Sequence, residues 1–364
     1  MVLSALGIIM VVDSHSWSVL PLFQGIIPYN SFFMPLFVFI SGYFNKVDTG
    51  SDLLRHIKNR TVKLFAPYCL ISFICFIFEM LLYPKLVFPI DIFDIAQSIC
   101  RLFTDGSVVS IAFPLWFVPA LLITDLIYSL ISKYIDRKKH SLPILLFFII
   151  IHLLSVYLAR NGLIIDYSLL LSKACFFLVF MHAGSIYRDR LEDKMRRLNK
   201  PLLLVSLLLI NIVRGIYLPD PYDVAFNDIN FMCGFTSPYI VTPLISSLIG
   251  ILFWLTMTDW IGKAFYDKRI ISYTSDNTFW IMGFHILFFG FLNKALYLVN
   301  SIMPLKGFDA EQCTYNISYL WKEYDQFRFV YFIAGFCGSL LAKYLFDRIM
   351  NKVRSKSVEK NTCV

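Results

Sequence analysis

Two histidines, an arginine and a lysine are the residues whose type and place in this chain suit group-transfer chemistry. His15 lies in the first apolar segment and His285 in the ninth. A neutral imidazole takes a proton from a hydroxyl and later returns it, which suits acyl transfer near neutral pH. Titratable groups inside membrane segments are costly and usually face the protein interior. The plainer reading of either ring is therefore a buried histidine bonded to a neighbouring helix. Arg60 and Lys63 stand three apart in a basic stretch. On a helix they share a face, and a guanidinium fork beside an ammonium binds phosphate groups. Ordinary anchoring of a cytoplasmic loop explains the same charges more economically.

Other polar groups fall inside apolar segments: Asp13, Glu79, Asp125, His152, His182 and Arg214. Asp13 is two residues from His15, so on a helix it points to another side. It is expected to pair with another helix or with water rather than to orient His15. Glu79 and Arg214 sit toward the same ends of their helices, where they pair with each other or reach the interface; the second is favoured. His152 and His182 carry no assigned role. Eight cysteines are scattered without a CxxC pair, which argues against a metal site or a disulfide framework. Cys100, Cys233 and Cys313 fall in loops on one side and leave room for one optional disulfide.

The elements that must position these residues are long apolar segments. The chain has 364 residues, 58% hydrophobic and only 16% charged, against roughly 25% charged in soluble domains. A spanning helix needs about 20 mostly apolar residues. Ten such segments are expected, near 2–19, 27–45, 63–83, 113–132, 142–158, 168–187, 201–218, 239–258, 277–299 and 328–347. Basic residues alternate in density between them. Lys46, Arg55, Lys58, Arg60 and Lys63 follow the second segment, and Lys133, Arg137, Lys138 and Lys139 follow the fourth. Arg188, Arg190, Lys194, Arg196, Arg197 and Lys200 follow the sixth. The opposite loops hold few cations and more acids, such as Asp91, Asp94, Asp105, Asp220 and Asp309. The bias predicts an all-α polytopic bundle of about ten transmembrane helices with both termini inside. One membrane domain covers 1–350, and 351–364 form a basic cytoplasmic tail. The net charge of +8 is explained by these loops meeting anionic lipid, so nucleic acid is rejected as a partner. No basic n-region precedes the first apolar run, which reads as a retained helix. No internal repeat supports an inverted-repeat transporter.

Six blocks in order resemble the membrane acyltransferase 3 family, particularly its fucose O-acetylase-related branch. They are GIIMVVDSHSW in the first segment, SFFMPLFVFISGYFNK in the second, RTVKLFAPY (60–68), PLWFVPALL (114–122), FFLVFMHAGSIY (176–187) and ISYTSDNTFWIMGFH (271–285). The resemblance implies an integral membrane enzyme that moves an acyl group, commonly acetyl from acetyl-CoA, onto a glycan hydroxyl. It implies a catalytic part for His15 and His285, CoA-phosphate binding by Arg60 with Lys63 beside it, and substrate binding by Trp116 and Phe117. Two positions depart from the pattern. Ser4 stands where the family usually has a basic residue, and Phe33 where related sequences often show histidine. The family also tends to carry polar residues ahead of the first helix, which this chain enters almost at once. A start that misses some residues, or a divergent member, would look this way.

The expected function is an O-acetyltransferase of a surface polysaccharide, such as an O-antigen, or its lipid-linked precursor. It would be multi-pass in a bacterial cytoplasmic (inner) membrane, with acetyl-CoA as donor and no bound cofactor or metal. His15 sits roughly 21 Å along its helix at about 1.5 Å per residue, in the outer half of the bilayer, so the donor arm must cross the bundle to reach it. The rival reading is a transporter or flippase of lipid-linked glycan intermediates. A third is a degenerate member with an accessory role.

Overall fold

The computed structural model describes residues 1–20, 23, 25–84, 110–164, 166–217, 239–265 and 268–362. Cys100, Cys233, Asp91, Asp94, Asp105 and Asp220 lie outside them. All regular structure among the described residues is helical. The helices are α1 (Val2–His15), α2 (Phe33–Phe44), α3 (Leu53–Leu82), α4 (Phe117–Tyr134), α5 (Ser141–Arg160) and α6 (Asp166–Ile186). A π turn, Tyr187–Leu191, links α6 to α7 (Glu192–Arg197). There follow α8 (Lys200–Tyr217), α9 (Thr242–Ile261), α10 (Arg269–Asp276), α11 (Thr278–Ile302), α12 (Ala310–Tyr315) and α13 (Asp325–Thr362).

Eight helical stretches among the described residues are long and apolar enough to cross a membrane, and α1 and α2 are shorter apolar helices. The outward faces of the long ones carry apolar side chains: Phe73 is 62% exposed, Leu146 53% and Leu202 65%. Such surfaces suit lipid and would be costly in water. The polar groups inside the segments instead point at one another or at backbone. His152 Nδ1 donates to the Phe176 carbonyl at 2.9 Å, and His182 Nε2 to that of Ser141 at 2.9 Å.

Three details differ from the sequence expectation. The first two helices are shorter than the apolar runs, because the chain turns at His15 and enters α2 through a 3-10 turn, Tyr29–Ser31. At about 1.5 Å per residue, α1 and α2 reach only ~21 and ~18 Å into a core about 30 Å thick. The third helix begins ten residues early, at Leu53, where the Asp52 side chain caps it by accepting from Arg55 N at 3.1 Å. Glu79 and Arg214 do not meet: Glu79 Oε2 accepts from Ile111 N at 3.2 Å, while Arg214 Nε donates to Asn211 Oδ1 at 2.9 Å. Both are buried, so neither reaches the interface. Cys313 is buried and free, its thiol 3.4 Å from the Asn293 carbonyl.

Close backbone approach holds the centre of the bundle. A Cβ on Gly184 would collide with the Phe39 carbonyl, and one on Gly42 with the Met181 carbonyl. These two glycines therefore let α2 and α6 touch backbone to backbone. A Cβ on Gly283 would meet Ile71 Cγ2 at 2.6 Å, so α11 packs there closely on an α3 side chain. The basic loops gather at one end of the bundle. Lys133 Nζ donates to the Thr49 and Ser51 carbonyls at 3.0 and 2.7 Å, and Arg188 Nη1 to those of Tyr43 and Asn45, each at 2.7 Å. This clustering is what the alternation of charge along the chain requires.

Candidate active site

His15 is the last residue of α1, and the backbone beyond it leaves the helix abruptly. Trp17 and Ser18 have φ values of +70° and +52°. This left-handed region costs about 1–2 kcal/mol for a residue with a Cβ. Asp13 compensates. Its carboxylate oxygen Oδ1 accepts from Val19 N at 2.8 Å and Leu20 N at 3.1 Å, and its carbonyl receives Ser16 N and Ser18 N. Non-helical backbone at membrane depth survives only when its polar groups are satisfied inside the protein. Asp13 thus binds its own following turn, with Tyr29 of the turn before α2 also beside its carboxylate. It fixes the place where His15 leaves the helix.

His285 comes from the first third of α11. Its Nε2 lies 2.8 Å from His15 Nδ1, with the two rings nearly parallel at 15° and their centroids 5.0 Å apart. The other nitrogen, His285 Nδ1, lies 2.9 Å from the Ile281 carbonyl. A carbonyl only accepts, so His285 Nδ1 carries the proton, and Nε2 of the neutral ring is left as an acceptor. His15 must then donate through Nδ1, which leaves the lone pair on His15 Nε2. The chain Ile281 O, His285, His15 therefore assigns one tautomer to each ring. His285 is fully buried, whereas His15 is only partly so. The arrangement can present an unprotonated ring nitrogen at the more open end of the pair.

Trp116 and Phe117 belong to the same neighbourhood. The 3-10 segment Ser110–Trp116 carries Phe113, whose ring stands edge-on to His15 at 5.2 Å, and leads directly into α4. Trp116 lies parallel to Phe177 at 6.4 Å, and Phe117 packs edge-on against Phe177 at 5.7 Å. Both are buried and form an aromatic wall continuous with the turn that touches His15.

Arg60 forms a second centre. Its Nε is 3.1 Å and its Nη2 3.4 Å from the two Asp125 oxygens. His56 Nε2 lies 3.0 Å from Asp125 Oδ2, and Asn45 Nδ2 donates to Oδ1 at 3.1 Å. Asp125 is thus a buried carboxylate held by three neighbours, Arg60, His56 and Asn45, and it aims the Arg60 guanidinium. The segment bearing Arg60 and Lys63 is helical, as a shared face requires. Lys63, however, is exposed and takes no part in the Asp125 cluster.

Sequence reasoning missed His56 and Lys173 at these sites, and Lys294 elsewhere in the bundle. His56 precedes Arg60 by four residues, a spacing that puts both on one helical face; this signal was legible once the helix is known to start at Leu53. Lys173, 1% exposed, holds its ammonium 4.3 Å above the Trp116 ring, a cation–π contact. Lys294 does the same over Tyr83 at 4.3 Å. Both lysines are hidden in apolar runs. Ser4, at the family's usual basic position, lines a cleft of about 570 Å³ at the opposite end of α1 from His15, with Tyr43, Glu192 and Asp259.

No curated protein and no solved structure matches the chain significantly. A family model described as an acyltransferase domain matches residues 2–348, nearly the whole chain. With its apolar helical bundle and the match running from α1 through most of α13, this chain belongs to the acyltransferase 3 family of membrane acyltransferases.

Proposed function

We propose that the chain transfers an acetyl group from acetyl-CoA to a sugar hydroxyl of a surface polysaccharide or its lipid-linked precursor, in a bacterial inner membrane. The observation that carries this reading is the hydrogen-bond chain from the Ile281 carbonyl through His285 to His15. It leaves His15 Nε2 as a base for the acceptor hydroxyl. The sugar oxygen attacks the thioester carbonyl as its proton passes to Nε2. The C–S bond breaks as the C–O bond forms, and the imidazolium returns the proton to the departing thiolate. His285 helps twice: it orients the ring, and its Nε2 lone pair faces the Nδ1–H of the imidazolium that forms.

The basic loops support entry of the donor from the cytoplasmic side, with Arg60 and Lys63 as phosphate-binding candidates. Asp125 preorganises Arg60, which lowers the cost of binding. Trp116 and Phe117 supply an apolar wall for the acyl or sugar group. The resemblance to the fucose O-acetylase-related branch supports a sugar acceptor.

The test is transfer of radiolabelled acetyl from acetyl-CoA to membrane glycan. His15→Ala is expected to abolish it while the protein still inserts. Near-normal labelling in that variant excludes the base role, and no labelling by the unaltered protein favours a transporter.

A further inference from the structure

A second polar cavity, of about 510 Å³, opens among the basic loops. Ser132 and Arg137 are its buried members, 1% and 7% exposed. Arg137 Nη1 donates to the Asn45 carbonyl at 3.0 Å and Tyr128 stands beside both side chains, but Arg137 Nε and Ser132 Oγ complete no well-formed hydrogen bond among the described residues. A guanidinium withdrawn from water without a direct ion pair is costly, and so is each buried polar group left unpaired. Such a floor calls for an anion.

The carboxylates that line the cavity are already engaged. Asp48 accepts from Ser51 Oγ at 2.8 Å and Gly50 N at 3.0 Å. Asp136 accepts from the backbone of Lys138 and Lys139 at 2.9 and 3.2 Å. Asp189 takes both forks of Arg188, at 2.7 and 3.1 Å. Hydrogen bonds from Ser51 and Gly50 hold the Asp48 carboxyl below its usual range, and those from Lys139 and Lys138 do the same for Asp136. Lys46 and Lys138 stand at the rim, and their ammonium groups make no hydrogen bond or ion pair among the described residues. Asp48 and Asp189 act on Arg137, and Asp136 and Asp189 on Lys138, through space only, and the four cations of the lining (Lys46, Arg137, Lys138 and Arg188) outnumber its three carboxylates.

Asn45 joins this cavity to the Arg60 cluster. Its carbonyl receives Arg137 and Arg188, and its side-chain amide donates to Asp125. The wall is also held in place, because Lys133 Nζ ties down the Thr49 and Ser51 carbonyls.

We propose that this cavity binds the phosphorylated ribose end of the acyl donor, with Arg137 at the floor and Lys46 and Lys138 closing on the phosphate. The proposal deepens the reading above and rests on it for a nucleotide-bearing donor. The volume favours a nucleoside phosphate over a bare ion, since small-molecule sites span roughly 300–1,000 Å³. The phosphate of an anionic lipid offers the same chemistry, so the experiment separates the two sources.

The protein, full length and in nanodiscs of phosphatidylcholine, is titrated calorimetrically with adenosine 3′,5′-bisphosphate, CoA and 3′-dephospho-CoA. The double variant Lys46→Gln/Lys138→Gln, both exposed positions, is expected to weaken bisphosphate binding on the order of 10-fold and to erase the preference for CoA over dephospho-CoA. Lys139→Gln, next in sequence but outside the cavity, is expected to change neither. Arg137→Lys is a second probe, judged only if its thermal midpoint is kept. Unchanged affinity in the double variant, or no preference in the unaltered protein, overturns the proposal. It is overturned too if the bisphosphate does not bind while phosphatidylglycerol stabilises the unaltered protein and not the double variant; the cavity is then a lipid site. Binding needs no turnover. A chain that binds the bisphosphate here yet transfers no acetyl refutes the proposed function and leaves the site standing.

Discussion

Replacing His285 by phenylalanine isolates the tautomer argument. Phenylalanine keeps an aromatic ring beside His15 but removes the acceptor 2.8 Å from His15 Nδ1 and the donor to Ile281 O at 2.9 Å. His15 Nδ1–H is then buried without a partner, which costs about 1–3 kcal/mol. The ring escapes that cost by moving its proton to Nε2, the nitrogen the reaction needs bare. At about 1.4 kcal/mol per decade, the competent tautomer falls roughly 5- to 150-fold. The expected loss in kcat is of that size, against ~10²- to 10⁴-fold for removal of a general base in His15→Ala. The assay is labelled acetyl transfer by equal amounts of inserted protein, with the thermal midpoint of each variant measured alongside. Because His285 acts through His15, the double variant His15→Ala/His285→Phe should be no slower than His15→Ala alone. Wild-type kcat in His285→Phe refutes the reasoning. So does a double variant whose loss is the product of the two single losses.

Two further outcomes follow from the packing around the site. Asp13→Ala removes the acceptor for Val19 N and Leu20 N, which should destabilise the turn by about 2–3 kcal/mol. It should lower the melting point and slow transfer together, while Asp13→Asn, which keeps one oxygen, loses less. Gly184→Ala places a methyl inside the Phe39 carbonyl, so α2 and α6 must separate at a cost of roughly 1–3 kcal/mol or more. Gly215→Ala meets nothing within 4 Å and should leave the melting point unchanged. Equal behaviour of the two alanine variants would show that the close approach is not required.

The apolar runs and the alternation of basic loops were legible along the chain, because both depend on local composition. Transfer of about 20 apolar residues into lipid is favourable whatever their neighbours are, and cytoplasmic retention of Lys and Arg is read loop by loop. Among the described residues, eight of the expected runs appear as helices long and apolar enough to span, and the first two as shorter apolar helices. His15 and His285 also stood out, since a titratable group in such a run needs a reason.

What the chain alone left undecided is which side of each helix faces which neighbour. A helix that is apolar all round carries no amphipathic stripe to show its rotation. That His15 and His285, 270 positions apart, share a hydrogen bond depends on how α1 and α11 pack. That Arg60 turns to Asp125 and His56 while Lys63 stays outside depends on the register of α3 against α4. The end of α1 was hidden for a related reason: the apolar run continues past His15, and only the Asp13 carboxylate, by satisfying the next turn, lets the helix stop there. Composition settled the segments; side-chain geometry across helices settled the chemistry, because a hydrogen bond is decided within tenths of an ångström and hydropathy averages over about 30 Å.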